Sequence, residues 1–113
     1  MQYLLLIYEQ EQRYANRSHE DMGVEMAEYV TYGEEFAGAI KACAPLQPTT
    51  TATTVRVRDG KRLTTDGPFA ETKEQLGGIY LVEAKDLDHA IAMSAKIPGV
   101  RYGCVEVRPL MTF

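Results

Sequence analysis

The segment 2-QYLLLIY-8 decides the fold, because it predicts a strand that is apolar on both of its faces. Alternate side chains of an extended chain point to opposite faces. One face carries Leu4, Leu6 and Tyr8, and the other carries Tyr3, Leu5 and Ile7. A strand of this kind is covered on both sides, so layers from this chain or from a second molecule must pack against it.

The next segment predicts a long helix. Ser18 is typical of an N-cap, and Asp21 three residues later forms a weak capping box. The helix is predicted from His19 to Cys43, where Pro45 ends it. Its predicted buried stripe has helical spacing: Met22, Met26, Tyr29, Val30, Gly33, Phe36, Ala37 and Ile40. Its predicted solvent face carries Glu25, Glu28, Glu35 and Lys41.

A β-hairpin is predicted around Asp59-Gly60, with strands at 54–58 and 61–65. Its register has two alternatives. A three-residue loop sets Val55 opposite Leu63, whereas a two-residue loop sets Val57 against Arg62. The first is preferred because it pairs apolar side chains on one face.

The last third of the chain predicts strand, helix and strand. The strands are 77–84 and 103–108, and the helix at 87–97 is capped by Asp86. The predicted buried residues of this helix are Leu87, Ala90, Ile91, Ser94 and Ala95. The order β-α-β(β)-β-α-β predicts a single α+β domain over residues 1–113. Its plan is the ferredoxin-like split βαβ, with an antiparallel sheet and two helices on one face.

The predicted sheet has an uncovered apolar side, because two helices cover only one face. Tyr80 and Val82 point opposite to Ile79 and Leu81, and Tyr80 is assigned to the face away from the helices. An exposed apolar sheet face is a large patch for a monomer. The sequence therefore predicts a homodimer whose two sheets pack face to face.

Composition excludes several functional classes. The 113 residues carry a net charge of −4, which argues against a direct nucleic-acid binder. No apolar run reaches the roughly 18 residues of a membrane helix. The two cysteines, Cys43 and Cys104, lack CxxC spacing and histidine companions, so no metal site is expected and a reducing cytoplasm is the expected location. No phosphate loop or dinucleotide fingerprint is present, so no cofactor is expected.

The segment 64-TTDGPFAETKEQLGG-78 is the predicted functional site. Asp66 is the candidate catalytic residue, held by a Gly67-Pro68 corner that Phe69 anchors to the core. The candidate substrate-binding residues are Tyr8, Gly67, Pro68, Phe69, Glu71, Lys73, Glu74 and Tyr80. The alternative is a plain turn with solvated charges, in which Asp66 only bonds its own backbone.

Several of these motifs resemble one known family. TDGPFAETKEQLGG, the later DLDHA and VEVRPL, and the earlier YLLLIY, LQP and TTVRVRDG are similar to the DGPF-type branch of the YCII-related family. The resemblance implies a dimeric α+β barrel. Members of the wider family carry a histidine in the first helix that is proposed to act with an aspartate, whereas EMAEYVTYGEEF has none. Some members are encoded with sigma factors.

Two principal functions remain open at this point. The first is a cofactor-free acid/base enzyme of the lyase or isomerase kind, with Asp66 as proton acceptor. The second is a non-catalytic small-molecule sensor or accessory module, with a transcription-related partner of the sigma-factor kind. A third alternative, a purely structural dimer, ranks below both.

Overall fold

A computed structural model describes residues 1–113 and shows a four-stranded antiparallel sheet with the helices on one face. The strands are β1 Gln2–Glu9, β2 Ile40–Pro45, β3 Thr53–Arg58, β4 Lys61–Asp66, β5 Gln75–Glu83 and β6 Cys104–Pro109. The helices are α1 Gln12–Ala15, α2 His19–Glu35 and α3 Leu87–Ser94, with 3₁₀ turns at Thr49–Thr51 and Pro98–Arg101. The sheet order β2-β5-β1-β6 is ferredoxin-like, so the predicted α+β class is confirmed.

Strand β1 lies in the middle of the sheet and supplies the centre of the core. Its helix-facing side is buried, and its other side is only partly so, as the two-faced pattern predicted. The core consists of Tyr3, Leu5, Ile7, Tyr32, Val82, Ala84, Ala90, Met93 and Ile97. No helix around this core is both long and apolar enough to cross a membrane.

The first long helix ends earlier than predicted. Its N-cap is confirmed, since the Ser18 hydroxyl accepts a 3.0 Å hydrogen bond from the Asp21 N–H. However, α2 stops at Glu35, and residues 40–45 form edge strand β2, which pairs with β5. The prediction of helix to Cys43 was wrong because Pro45 is also tolerated at the end of an edge strand.

The predicted buried face of α2 was also wrong in part. Met26 and Val30 are 63% and 60% exposed, while Glu25 and Tyr32 are buried. The apolar stripe misled because a charged side chain can be buried when it is paired and hydrogen-bonded, as Glu25 is.

In helix α3 the buried residues also differ in part from the predicted ones. Asp86 is its N-cap as predicted, because its carboxylate accepts a 2.8 Å bond from the His89 N–H. Leu87 and Ile91 are each 49% exposed, whereas Met93, absent from the predicted stripe, is buried. Ala90 and Ser94 are buried as predicted, and together with Met93 and Ile97 they recur at helical spacing, so the buried face is rotated away from Leu87 and Ile91.

The hairpin adopts the register that was not preferred. Val57 lies opposite Arg62 and Arg58 opposite Lys61, so the loop has two residues. Asp59 and Gly60 have φ angles of 54° and 74°. Two positive φ angles are typical of a type I′ turn, whose twist matches that of the flanking strands. Turn geometry therefore outweighed the pairing of apolar side chains.

The hairpin is also separate from the main sheet. Strands β3 and β4 pair only with each other, and β2 supplies the sheet strand that the prediction had assigned to the hairpin. We call residues 53–66 the arm. All of its strand residues are exposed except Thr54, which is intermediate.

Tyr80 lies on the opposite sheet face from the one predicted. Its ring packs 5.2 Å from that of Tyr32 on α2, measured between centroids. Ile79 and Leu81 therefore point to the face without helices. The alternation of side chains along β5 was predicted correctly. Because both faces of β5 carry apolar residues, the sequence did not show which face lies towards the helices.

Candidate functional site

A cavity of about 310 Å³ lies between the first two helices and the sheet, and we call it the helix-side cavity. Its apolar and small lining residues are Ile7, Met26, Cys43, Ala44, Pro45, Gly77, Gly78, Ile79 and Tyr80. Its other lining residues are Tyr14, Arg17, Glu25 and Tyr29. An apolar recess with a few convergent polar groups is the usual form of a small-molecule site.

Two carboxylates and two guanidinium groups form a charged cluster beside this cavity. Arg13 binds Glu25 through two bonds of 2.9 and 3.1 Å, and its Nη2 also contacts Glu9 at 2.7 Å. Arg17 Nη1 donates a 2.8 Å bond to Glu25. Glu9 and Glu25 are buried, at 1% and 6% exposure. The four charges balance, which permits their burial.

Glu25 is held in its ionised form. Burial raises the pKa of its carboxyl, but the hydrogen bonds and charges of Arg13 and Arg17 outweigh burial, so the pKa lies below its usual value. The same contact with Glu25 raises the pKa of Arg13. Glu25 is therefore an acceptor that orients the two arginines, and a weak base.

Two tyrosines at the cavity remain protonated phenols. Burial, followed by the charge of the nearby Glu9 carboxylate, raises the pKa of Tyr29 to about 12. Burial, followed by a hydrogen bond to Glu9 and the charge of that carboxylate, raises the pKa of Tyr14. The Tyr29 hydroxyl accepts a 3.2 Å bond from the Gly99 N–H, which leaves its own proton available for donation. A Cβ placed on Gly77 would lie 3.4 Å from the Tyr14 hydroxyl, so this phenol lies close over β5.

Three buried polar atoms of the cluster have no hydrogen-bond partner: Glu9 Oε1, Arg13 Nε and Arg17 Nε. Arg17 itself lines the cavity. These three atoms are closed off from solvent, but Arg17 bonds Glu25 through Nη1 alone, so its Nη2 is neither buried nor hydrogen-bonded and can donate to an acceptor atom on a ligand. This polar end of the cavity can therefore bind an anionic or carbonyl oxygen through Arg17 and the phenols.

The predicted DGPF segment does not converge on one point. Asp66 is exposed at the end of β4, opposite Thr53, and lines neither the helix-side cavity nor the cavity around Tyr8 and Phe69 that is described below. Gly67 has φ of 97°, as a glycine corner requires. Glu71 lines one recess together with Gly67, and Lys73 lines a neighbouring recess that shares Thr72 and Gln75 with the first. Glu74 Oε1 lies 4.0 Å from Cys104 Sγ.

A second cavity of about 720 Å³ includes three of the predicted site residues, and we call it the loop cavity. Tyr8, Pro68 and Phe69 line it together with the Thr-rich segment at 49–54. Phe69 is 81% exposed, so the expectation that it anchors the loop to the core was wrong. The Gly67 N–H donates a 2.7 Å bond to the Ala52 carbonyl instead, and this bond ties the corner to the Thr-rich segment.

The sequence model of the YCII-related domain family matches residues 1–113. The chain belongs to this family. A relative, the uncharacterized protein R00369 of Rhizobium meliloti (strain 1021), is 43% identical over 79 residues, which are 68% of this chain. The match spans 64% of that protein's length, slightly under two thirds.

A solved structure supports the fold of this YCII-related protein. It is the 5-chloro-2-hydroxyhydroquinone dehydrochlorinase of Burkholderia phenoliruptrix AC1100 in complex with 2,5-dihydroxybenzoquinone. The TM-score is 0.53 at 15% identity, over 98% of this chain and 94% of the other. At this identity the likeness establishes a shared fold and nothing more.

Sequence analysis missed the charged cluster of the YCII-related chain, although two signals were present. The alternation of β1 continues past Ile7 to Glu9, which places a carboxylate on the buried face. Arg13 and Arg17 are four residues apart, as are Glu25 and Tyr29. Such spacing puts Glu25 and Tyr29 on one face of α2, whereas Arg17 lies beyond the end of α1, and only tertiary packing brings the two arginines to Glu25.

Proposed function

We propose that this YCII-related protein binds a small planar ring bearing acidic oxygens in the helix-side cavity. The observation that carries this proposal is that the Arg17 guanidinium, with its Nη2 free to donate, lines the cavity beside two phenols that stay protonated. Guanidinium and phenol donors bind a phenolate, enolate or carboxylate oxygen, and Met26 and Tyr80 supply apolar contact for a ring. The ligand of the dehydrochlorinase with the same fold is a ring of this class.

The reaction class that fits this cavity is proton transfer without a cofactor, of the lyase or isomerase kind. Donors aimed at an oxygen stabilise the negative charge that develops when a neighbouring C–H bond loses its proton. The C–H proton passes to the ionised Glu25 carboxylate, which lines the cavity. The Tyr29 hydroxyl, which accepts from the Gly99 N–H and keeps its own proton, donates that proton to the carbon or the leaving group. The proton on Glu25 then returns to the Tyr29 phenolate, which restores both groups.

A non-catalytic sensor is the second candidate function. The observation in its favour is that the cavity lacks a strong base: Glu25 is ionised but has a lowered pKa, and the only two histidines are exposed. A sensor needs binding alone. A transcription-related partner would belong to this alternative, and a pull-down that recovers no such component would count against that version.

The loop cavity is proposed as a second ligand site of the same protein, with Asp66 as a group that acts at its rim. Its support is that Tyr8, Pro68 and Phe69 share one cavity. The other proposed contacts, from Gly67, Glu71, Lys73 and Glu74, require the loop to move on binding. Full turnover or full binding by Asp66→Asn would eliminate the role of Asp66.

We further propose a cytoplasmic homodimer joined through the sheet faces that lack helices. Leu4, Leu6, Ile79 and Leu81 are only partly buried on that face, and packing against a second sheet would remove them from water.

The test of the primary proposal is calorimetric titration with 2,5-dihydroxybenzoquinone, after mass spectrometry has excluded its addition to Cys43. Wild type is compared with Arg17→Met, which keeps the apolar stem, and with Phe69→Ala, which alters only the loop cavity. We expect Arg17→Met to weaken binding at least tenfold and Phe69→Ala to leave it unchanged. The reverse pattern would move the site to the loop cavity. Proton NMR of the same ring in D₂O detects catalysed exchange and separates enzyme from sensor.

A further inference from the structure

The loop cavity has no positively charged group in its lining. None of its lining residues is a lysine or an arginine. The backbone N–H groups of its Thr-rich wall are also used within the chain. Thr49 donates to Glu11 at 2.7 Å, Thr51 donates to the Pro48 carbonyl at 2.9 Å, and Ala52 donates to the Thr49 carbonyl at 3.0 Å. An anion binds best to charged or free donors, so this cavity does not suit the acidic ring that we assign to the helix-side cavity.

Most hydroxyl groups of the loop cavity can only accept from a ligand. All the lining hydroxyls except that of Thr53 donate their hydrogen to a carbonyl or carboxylate oxygen of the chain. These donors are Tyr8, Thr49, Thr51, Thr54 and Thr72. A hydroxyl whose hydrogen is used keeps lone pairs that accept hydrogen bonds. The lining therefore favours a ligand that brings its own N–H or O–H donors.

Carboxylates surround the loop cavity. Asp66 lies opposite Thr53 of the lining in the β3–β4 ladder. Glu11 accepts from Thr49 through both of its carboxylate oxygens, at 2.7 and 2.9 Å. Glu71 lies in a recess that shares five lining residues with the cavity. None of these three carboxylates has an ion-pair partner in the chain, so their negative charge is not neutralised.

The nearby cations do not cancel this charge. Arg108 is paired with Glu106 at 3.3 Å, so the carboxylate that accepts from Tyr8 is already neutralised. Lys73 lies in a neighbouring recess with Glu11 and does not line the loop cavity. Since unpaired carboxylates outnumber this single ammonium, the electrostatic potential around the cavity attracts a cation.

Two aromatic rings in the lining are free to contact a cation. Phe69 lines the cavity and is 81% exposed, and Tyr8 lines it from β1. The cations that the chain places over aromatic rings contact Tyr14, Tyr102 and Phe36 instead. The face of an aromatic ring attracts an ammonium or guanidinium group electrostatically. Donor-poor hydroxyls, unpaired carboxylates and free rings all favour the same class of ligand.

We propose that the loop cavity binds a protonated amine carried on an apolar stem. The ammonium group donates to the hydroxyl oxygens and lies against the Phe69 ring, and the stem contacts Leu46, Pro68 and Leu76. A volume of about 720 Å³ suits an organic molecule rather than a bare ion. This inference rests on the proposal that the loop cavity is a ligand site. It assigns to that site a ligand of opposite charge to the one in the helix-side cavity.

The experiment is an NMR titration of the full chain at pH 7 with three matched rings. Benzylamine is protonated, benzyl alcohol is neutral and benzoate is anionic at this pH. The amides of Thr51 and Ala70 report from the loop cavity, and the amide of Gly78 reports from the helix-side cavity. We expect benzylamine to shift Thr51 and Ala70 saturably, at least fivefold more tightly than benzyl alcohol, with no shift from benzoate.

Two variants test the groups that recognise the amine. Phe69→Leu keeps the apolar bulk but removes the ring face, and should weaken benzylamine binding about threefold. Asp66→Asn combined with Glu71→Gln should also weaken it about threefold, by an amount that shrinks in high salt because exposed charges are screened. Glu34→Gln, on the exposed part of α2, is the matched control and should leave the affinity unchanged.

Three results would overturn the proposal. Benzyl alcohol or benzoate that shifts Thr51 and Ala70 with the affinity of benzylamine would exclude a cationic ligand but keep the loop cavity as a ligand site. The absence of any shift at these amides would remove the loop cavity as a site altogether. Full affinity in both loop variants would place the amine elsewhere. Titration of the same samples with 2,5-dihydroxybenzoquinone, followed at Gly78, tests the helix-side cavity independently of all three.

Discussion

At the level of single residues, a buried cluster of ion pairs supports the structure. Glu25 receives three hydrogen bonds from Arg13 and Arg17, and Glu9 shares Arg13. Such a cluster is expensive to break, because removing one member leaves another buried charge without its partner. It also positions the arginine that lines the helix-side cavity.

We expect Glu25→Gln to lower the free energy of unfolding by about 1.5–3 kcal/mol, as for hydrogen bonds to charged groups. Urea unfolding at pH 7 measures this loss. The control is Glu34→Gln on the exposed part of the same helix, which should change stability by less than about 0.5 kcal/mol. Equal effects of the two substitutions would show that the cluster contributes nothing specific.

The pH dependence follows from the lowered pKa of Glu25. A carboxyl with a lower pKa in the folded state stabilises the fold above its unfolded pKa, and this contribution is lost as the pH falls through the folded value. The free energy of unfolding of the wild type should therefore fall progressively as the pH drops below 4.5, the pKa of this carboxyl in the unfolded chain. Glu25→Gln should show a shallower loss over the same range, measured by urea unfolding between pH 3 and 7 as an approximate window. Parallel curves would contradict this account.

Gly99 lies against the charged cluster, where there is no room for a larger side chain. A Cβ there would lie 2.0 Å from Glu9 Oε1 and 2.8 Å from the Tyr29 hydroxyl. We expect Gly99→Ala to destabilise the protein by about 1–3 kcal/mol, as overpacking does, whereas Gly38→Ala, with no atom within 4 Å of its Cβ, should be neutral. Thermal denaturation followed by circular dichroism compares them. An unchanged melting temperature for Gly99→Ala would contradict this prediction, because it would show that Glu9 can move without loss of stability.

At the scale of elements, the main sheet is complete without the arm, since β2 rather than the hairpin occupies its edge. Thr53 and Asp66 are paired across the base of the arm. Replacing residues 54–65 by Asn-Gly, a two-residue hairpin turn, should leave a folded domain. We expect cooperative urea unfolding and retained amide NMR dispersion over the four-stranded sheet. Loss of cooperative unfolding would show that the arm belongs to the core.

The sequence predicts some elements well and others poorly for identifiable reasons. Strand β1, the two N-caps at Ser18 and Asp86, and the ferredoxin-like plan depend on local periodicity and capping, and all are confirmed. Strand β2 was missed because residues 40–45 continue a helical pattern that only pairing with β5 overrides. The hairpin register depended on backbone twist rather than side-chain pairing.

The candidate site was less predictable than the fold. The DGPF segment has a recognisable motif, yet its charged residues separate onto different recesses. The helix-side cluster has no compact motif, because Glu9, Arg13 and Glu25 meet only after β1, α1 and α2 have packed. The periodicity of apolar residues does not identify this cluster, because a helix face can also bury an ion pair.

At the scale of the whole molecule, the flat shape of 47 × 44 × 19 Å leaves large apolar surfaces exposed. We expect a dimer at micromolar concentration, measured by light scattering coupled to gel filtration. Leu6→Lys on the half-buried sheet face should yield a monomer, because charge is costly in an apolar interface. Leu87→Lys on α3, 49% exposed, is the matched control and should remain dimeric. Wild type that is monomeric would remove the basis of the dimer.

We propose above that the helix-side cavity holds the ligand. NMR chemical-shift mapping with 2,5-dihydroxybenzoquinone tests it most directly, because backbone amides report from both cavities in one titration. We predict the largest shifts at Gly77, Gly78 and Tyr29, with Thr51 and Ala70 unchanged. Shifts confined to Thr51 and Ala70, or no shift at any of these amides, would contradict the account.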